Sequence, residues 1–124
     1  MNVNRIIAFR LDGGEVPKLA ARSDAFFPKP PDTKATEAQI GYGEIKFIEQ
    51  CSRCHALGVG LTPNLRKLSL EVHDLFKDIL LKGAPRGMER FDDVLNEADV
   101  DAIHAYLIDQ SWQAYKVQEQ SKTK

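Results

Sequence analysis

Among 124 residues only two are cysteine, Cys51 and Cys54, three positions apart. So close a pair cannot staple distant parts of a chain, which excludes a disulfide scaffold. Neither sign of charge is in excess: 17 Lys and Arg stand against 18 Asp and Glu, a formal net charge of −1. This balance excludes the basic footprint of a nucleic-acid surface and a polybasic membrane patch. Long apolar runs are missing too. A stretch such as Ile79-Leu80-Leu81 falls far short of the roughly 20 residues that span a bilayer. The opening residues, Met1-Asn2-Val3-Asn4-Arg5-Ile6-Ile7, lack the apolar segment and small-residue cleavage site of a secretory leader. What remains is an ordinary soluble composition, 43% hydrophobic and 28% charged, on a length that suits one domain plus an appendage.

Three zones follow along the chain. Residues 1–24 hold Ile6-Ile7-Ala8-Phe9-Arg10-Leu11, closed by Asp12-Gly13-Gly14. Ile7, Phe9 and Leu11 alternate at period two, so this reads as a strand entering a turn. A strand with no partner leaves its backbone groups unpaired, and no later segment reads as one. Residues 25–36 contain Phe26-Phe27-Pro28-Lys29-Pro30-Pro31; prolines at this density forbid helix and predict a stiff, extended linker. The helical pattern begins at Thr36, which has capping-box spacing to Gln39. Ile40, Ile45, Phe47 and Ile48 supply apolar contacts along a first helix ending near Cys51. Leu70 to Lys82 predicts a second helix, with Val72, Leu75, Phe76, Ile79 and Leu80 as one stripe and Gly83 as its stop. Asn96 caps a third, with Glu97 and Asp99 in its first turn and Val100, Ile103 and Leu107 facing inward. The domain reads as 37–116, with a polar tail over 117–124.

The chemistry sits at Cys51-Ser52-Arg53-Cys54-His55. Two thiols at this spacing can form thioethers with the two vinyl groups of one haem, and the adjoining His55 then lies under the iron as an axial ligand. A redox dithiol would prefer a strand-to-helix setting in an alternating α/β pattern, which is absent. A zinc site needs four ligands, and His73 and His104 show no second paired spacing. For the sixth iron position the candidate is Met88, 33 residues after His55 in the loop Gly83-Ala84-Pro85-Arg86-Gly87-Met88. A thioether there would favour reduced iron; the bland alternative is a methionine filling a gap. His73 and His104 are alternative ligands, though both read better as exposed or partly exposed helix residues. A ligating His hands its other N–H to a carbonyl, and Pro63, in a stiff loop, can supply one. Arg66 can pair with a haem propionate or simply be a surface arginine.

Beyond these arguments, the segment from Thr36 to about Trp112 resembles the class I cytochrome c family. Gly43 and Phe47 precede Cys51 at the spacing of that family's first helix, and Ile103, Tyr106 and Leu107 match its last. A narrower likeness covers Pro63-Asn64-Leu65-Arg66, Ile79-Leu80-Leu81-Lys82-Gly83, Gly87-Met88-Glu89-Arg90-Phe91 and Asp99 to Leu107. These are similar to the C-terminal cytochrome domain of quinohaemoprotein alcohol dehydrogenases, which join a PQQ-binding β-propeller to a cytochrome through a Pro-rich linker. Arg5 to Gly14 is similar to the last propeller strand and its exit. The chain departs from the family at Glu89, where proline usually follows the methionine, and at Ala56, where glycine is common.

The resemblance implies an all-α class I cytochrome c fold around one covalently bound haem c, with an extended N-terminal arm. It implies single-electron transfer in the periplasm, from a PQQ-dependent dehydrogenase domain to a periplasmic redox protein or quinone-linked chain. PQQ would belong to that parent domain, and no catalytic residue can be named within these 124 positions. An apolar patch around the haem edge would serve docking. Two other readings stay open: an independent small cytochrome, and a ligand-binding or peroxidase-like haem protein with an open iron site.

Overall fold

The computed structural model describes residues 12–14, 26–56, 62–84 and 87–123. Four helices carry the fold: α1 (Glu37–Gln50), α2 (Leu70–Asp74), α3 (Phe76–Lys82) and α4 (Glu97–Lys122), with a 3-10 turn at Leu65–Lys67. No strand occurs among the described residues; Ala84 and Met88 form an isolated antiparallel bridge. The strand expected over residues 5–11 lies outside the described residues.

Local signals set the helix starts. The Thr36 hydroxyl accepts from the Gln39 N–H at 3.2 Å. Asn96 and Asp99 cap α4 reciprocally: Asn96 Oδ1 takes the Asp99 N–H at 2.9 Å, and Asp99 Oδ2 takes the Asn96 N–H at 3.0 Å. This satisfies two N-terminal donors that would otherwise lack partners.

The frame is the crossing of α1 over α4. A Cβ added to Gly43 would overlap the carbonyl oxygen of Ala102, so only glycine lets the two backbones approach this closely. Phe47 and Tyr106 pack beside the crossing with ring centroids 5.4 Å apart. Ile103 and Leu107 are fully buried in α4. The Tyr42 hydroxyl adds a polar tie, donating to Asp99 at 2.6 Å, and this bond more than any other holds the Asp99 carboxyl below its ordinary pKa.

Three expectations need correction. The single helix over Leu70–Lys82 is two helices, broken at Leu75, whose φ and ψ are −90° and 0°. The break turns Leu75 outward, 49% exposed, so the buried set becomes His73, Phe76 and Leu80. Ile45 and Ile48 are 55% and 59% exposed, because Ile40, Gly43 and Phe47 form the α1 face that meets α4. Third, α4 runs on to Lys122 where a polar tail was expected from 117. The linker supplies a reason: the Gln118 side-chain amide donates to the Phe27 carbonyl at 3.0 Å and accepts the Phe27 N–H. The linker carries no helix among its described residues, as its prolines require, and it lies against α4. Pro30 is buried, and the Trp112 indole donates to the Pro31 carbonyl at 3.0 Å.

Candidate functional site

The helix α1 does not simply stop. Cys51 and Ser52 both return their N–H groups to the Phe47 carbonyl, at 2.8 and 2.9 Å, and Cys54 and His55 return theirs to Cys51 at 3.1 and 2.8 Å. One further turn is thereby wound. It brings Cys51 and His55, four residues apart, to the same side, where both line one cleft. The two cysteines are free thiols, Cys51 half-buried and Cys54 exposed. Burial, with Cys54 adding a smaller effect, pushes the Cys51 thiol up to about 11. That is opposite to the depressed pKa of a redox-active dithiol. Among the described residues no group of three or more His, Cys, Asp or Glu side chains could hold a metal ion, so zinc has no ligand set there.

His55 is fixed from the following loop. Its Nδ1 lies 3.3 Å from the Pro63 carbonyl oxygen, and Thr62 donates its hydroxyl to the Cys54 carbonyl. With Nδ1 as the donor, the other nitrogen is left with its lone pair.

The remaining cleft walls are apolar: Leu65 and Leu68 after the Pro63 loop, Val72 on α2, Phe76, Ile79 and Leu80 on α3, and Ile103 and Leu107 on α4. Met88 completes them. Its loop is closed on itself. Ala84 donates to the Met88 carbonyl at 3.0 Å, Gly87 to Ala84 at 3.3 Å, and Phe91 to Leu80 at 2.8 Å. Gly83 and Gly87 have φ of +81° and +96°, conformations that favour glycine. An apolar cleft lined by the Cys51 thiol, the His55 imidazole and the Met88 thioether, with the Cys54 thiol exposed outside its lining, fits the donor set of a haem c.

Arg66 does not line this cleft. Its Nε donates to Asn64 at 3.2 Å, and its guanidinium stands 5.4 Å over the Phe27 ring. His73 and His104 do not line it either. Contrary to expectation, His73 is buried, 5% exposed, and its Nδ1 is 2.9 Å from His104 Nε2. The pattern carries a signal for this: His104 continues the Val100, Ile103, Leu107 stripe at helical spacing.

Helices crossing at a glycine, a Cys-x-x-Cys-His turn running off the first of them, and an apolar cleft with a methionine loop in its wall define a cytochrome c domain. The chain belongs to that family. Residues 38–107 match the family described as cytochrome c oxidase, cbb3-type, subunit III, and haem c is its cofactor. More particularly, it is similar to the C-terminal cytochrome domain of quinohaemoprotein alcohol dehydrogenases. It is 38% identical over 109 residues to quinohemoprotein alcohol dehydrogenase ADH-IIG of Pseudomonas putida, covering 84% of this chain and 15% of that protein. It is 32% identical to the dehydrogenase subunit of a quinone alcohol dehydrogenase from Komagataeibacter europaeus, covering 94% and 16%. Lupanine 17-hydroxylase [cytochrome c] of a Pseudomonas species is 36% identical, covering 96% and 18%. The solved structure of the P. putida ADHIIG superposes with a TM-score of 0.69 at 36% identity, over 84% of this chain and 16% of that one. The chain therefore spans about one sixth of the length of these relatives.

Proposed function

We propose that this domain relays single electrons from a PQQ-dependent dehydrogenase domain to an acceptor outside the cytoplasm, a periplasmic redox protein or a quinone-linked chain. The observation that carries this is the convergence of Cys51, His55 and Met88 on one apolar cleft. The haem, when bound, supplies an iron that takes up and releases one electron. Cys51 and Cys54 would anchor it through thioethers, which would prevent its loss. His55 would offer the iron its unprotonated nitrogen, with Nδ1 donating to the Pro63 carbonyl in that tautomer. Met88 would supply a thioether sulfur as a further ligand, which favours reduced iron. Arg66, whose Nε donates to Asn64 and whose guanidinium stands over Phe27, would have to turn from Phe27 to pair with a propionate. The apolar walls exclude water, which favours the less charged reduced state.

Visible spectra of the oxidised and reduced protein test this reading, with carbon monoxide added to the reduced form. The expected result is a low-spin spectrum, a far-red sulfur-to-iron band lost in Met88→Ala, and no carbon monoxide adduct without that substitution. Ready binding of carbon monoxide to the native protein would instead favour the open-site, ligand-binding reading.

A further inference from the structure

Outside the cleft one cluster has no part in holding the haem. His73 on α2 and His104 on α4 meet edge to edge, nitrogen to nitrogen at 2.9 Å, with ring centroids 5.1 Å apart and planes 28° apart. His104 in turn lies flat on Phe76, 4.4 Å between centroids and 11° between planes. Phe76 is itself a wall of the cleft, so a single ring separates the histidine pair from the haem's place.

The protons in this pair can be counted. Two neutral imidazoles carry two protons on four nitrogens. A bond between Nδ1 of one ring and Nε2 of the other places one proton in the bridge. The second sits on an outer nitrogen of the accepting ring, which leaves the donor ring's outer nitrogen with an open lone pair. His104 keeps partial contact with solvent, so protons can reach the pair. Charges of both signs surround the pair. Asp74 on α2 and Asp101 on α4 favour a proton on His104, while His73 opposes it. Lys77 on α3 spans to Asp101 at 3.2 Å and to Glu97 at 3.5 Å. Burial and the neighbouring ring hold the pair neutral, and a change of charge at the cleft acts against that bias.

We infer that the His73–His104 pair is a proton site coupled to the haem, so that reduction of this domain draws protons onto the pair. One electron enters from the donor dehydrogenase, the pair's average occupancy rises by at most about half a proton, drawn from solvent onto the open lone pair, and both are given back when the acceptor is reduced. No other bond forms or breaks. The coupling is electrostatic: a unit drop in charge felt at about 10–15 Å through an effective dielectric of ~20 raises a pKa by about one unit. Burial sets the working range. It holds His73 below the ordinary 6.5 and, with His73 adding to it, His104 down to about 4. The first proton therefore enters below pH 6.5, and the second is resisted until the medium is strongly acid.

The coupling requires haem seated in the cleft as proposed above, and the test separates the two ideas. Imidazole resonances of the holoprotein are followed by NMR from pH 4 to 8 in the ferric and ferrous states, alongside the reduction potential. The expected result is a histidine titration about one pH unit higher in the reduced protein. The potential then falls as pH rises through that window, by about tenfold in the electron-transfer equilibrium, or 59 mV for one electron. His73→Gln/His104→Gln flattens that slope. Identical titrations in both states overturn the coupling, as does a slope that survives the double substitution. Should the variant not fold, the NMR comparison on the native protein decides alone. A polypeptide that carries no haem contradicts the site assignment and the coupling with it.

Discussion

On one side of the cleft, Cys51 and His55 prolong the winding of α1, and four backbone hydrogen bonds between residues 47 and 55 hold them. On the other side, Met88 rides on a short loop bracketed by two positive-φ glycines and closed by a single bridge to Ala84. The helical side inherits its geometry from the α1–α4 crossing. The loop side owes its geometry to a few local bonds and to contacts with Leu80 and Phe91. Local opening starts where buried apolar contacts are few, so the methionine wall is the softer of the two. On the proposed reading, exchange of the sixth ligand would belong to the Met88 side and attachment to the helical side.

The largest way to break this contrast is at its base. Gly43→Ala drives a methyl into the Ala102 carbonyl and forces α1 and α4 apart. Overpacking of this kind costs about 3 kcal/mol, and both walls fail together. A urea midpoint well below that of the unsubstituted protein checks it; an unchanged midpoint would mean the crossing is looser than described.

Next comes acid. The folded state holds His73 and His104 below their ordinary pKa, so the unfolded chain binds more protons in that range. The sign follows: this contribution is fully present above pH 6.5 and is lost as pH falls from there towards about 4. Because His104 is partly exposed, solvent screening leaves about 1–2 kcal/mol. Denaturation at pH 7 and at pH 4.5 measures it, and His73→Gln/His104→Gln should reduce the difference.

The smallest effect sharpens the contrast most. Gly87→Ala has open space for its methyl but places alanine at φ +96°, a strain of about 1 kcal/mol. Only the loop side feels it. The far-red sulfur-to-iron band should bleach at lower denaturant than before, while the haem stays attached. Simultaneous loss of both signals would show that the two walls are one unit.

How much of this was legible in the sequence differs from residue to residue. The attachment motif is contiguous, so Cys51, Cys54 and His55 could be read without knowing the fold. Gly43 could be read only through the resemblance, because it stands at the spacing of the first helix of the class I cytochrome c family, whose helices cross closely. Asn96 announced its cap by residue type, whereas Asp99 read only as a first-turn acid and its return bond to the Asn96 N–H appears in the structure alone. The break at Leu75 had no such mark: Val72, Leu75, Phe76, Ile79 and Leu80 make a good stripe on one continuous helix. Only the packing of His73 against His104, a contact across 31 residues, reveals why the helix turns there. The docking of Phe27 and Pro31 on α4 was hidden for the same reason. A polar Gln118 and a half-apolar Trp112 look like surface residues until the linker carbonyls they bond are known.

Everything above rests on thioether attachment at residues 51 and 54. The most direct measurement is acid–acetone extraction of the protein made in a host that matures c-type cytochromes, followed by the mass of the polypeptide. The account predicts that the colour stays with the chain, that its mass is raised by one haem, and that neither Cys51 nor Cys54 reacts with a thiol reagent. Colour that passes into the acetone, leaving two reactive thiols on a chain of unmodified mass, would contradict it.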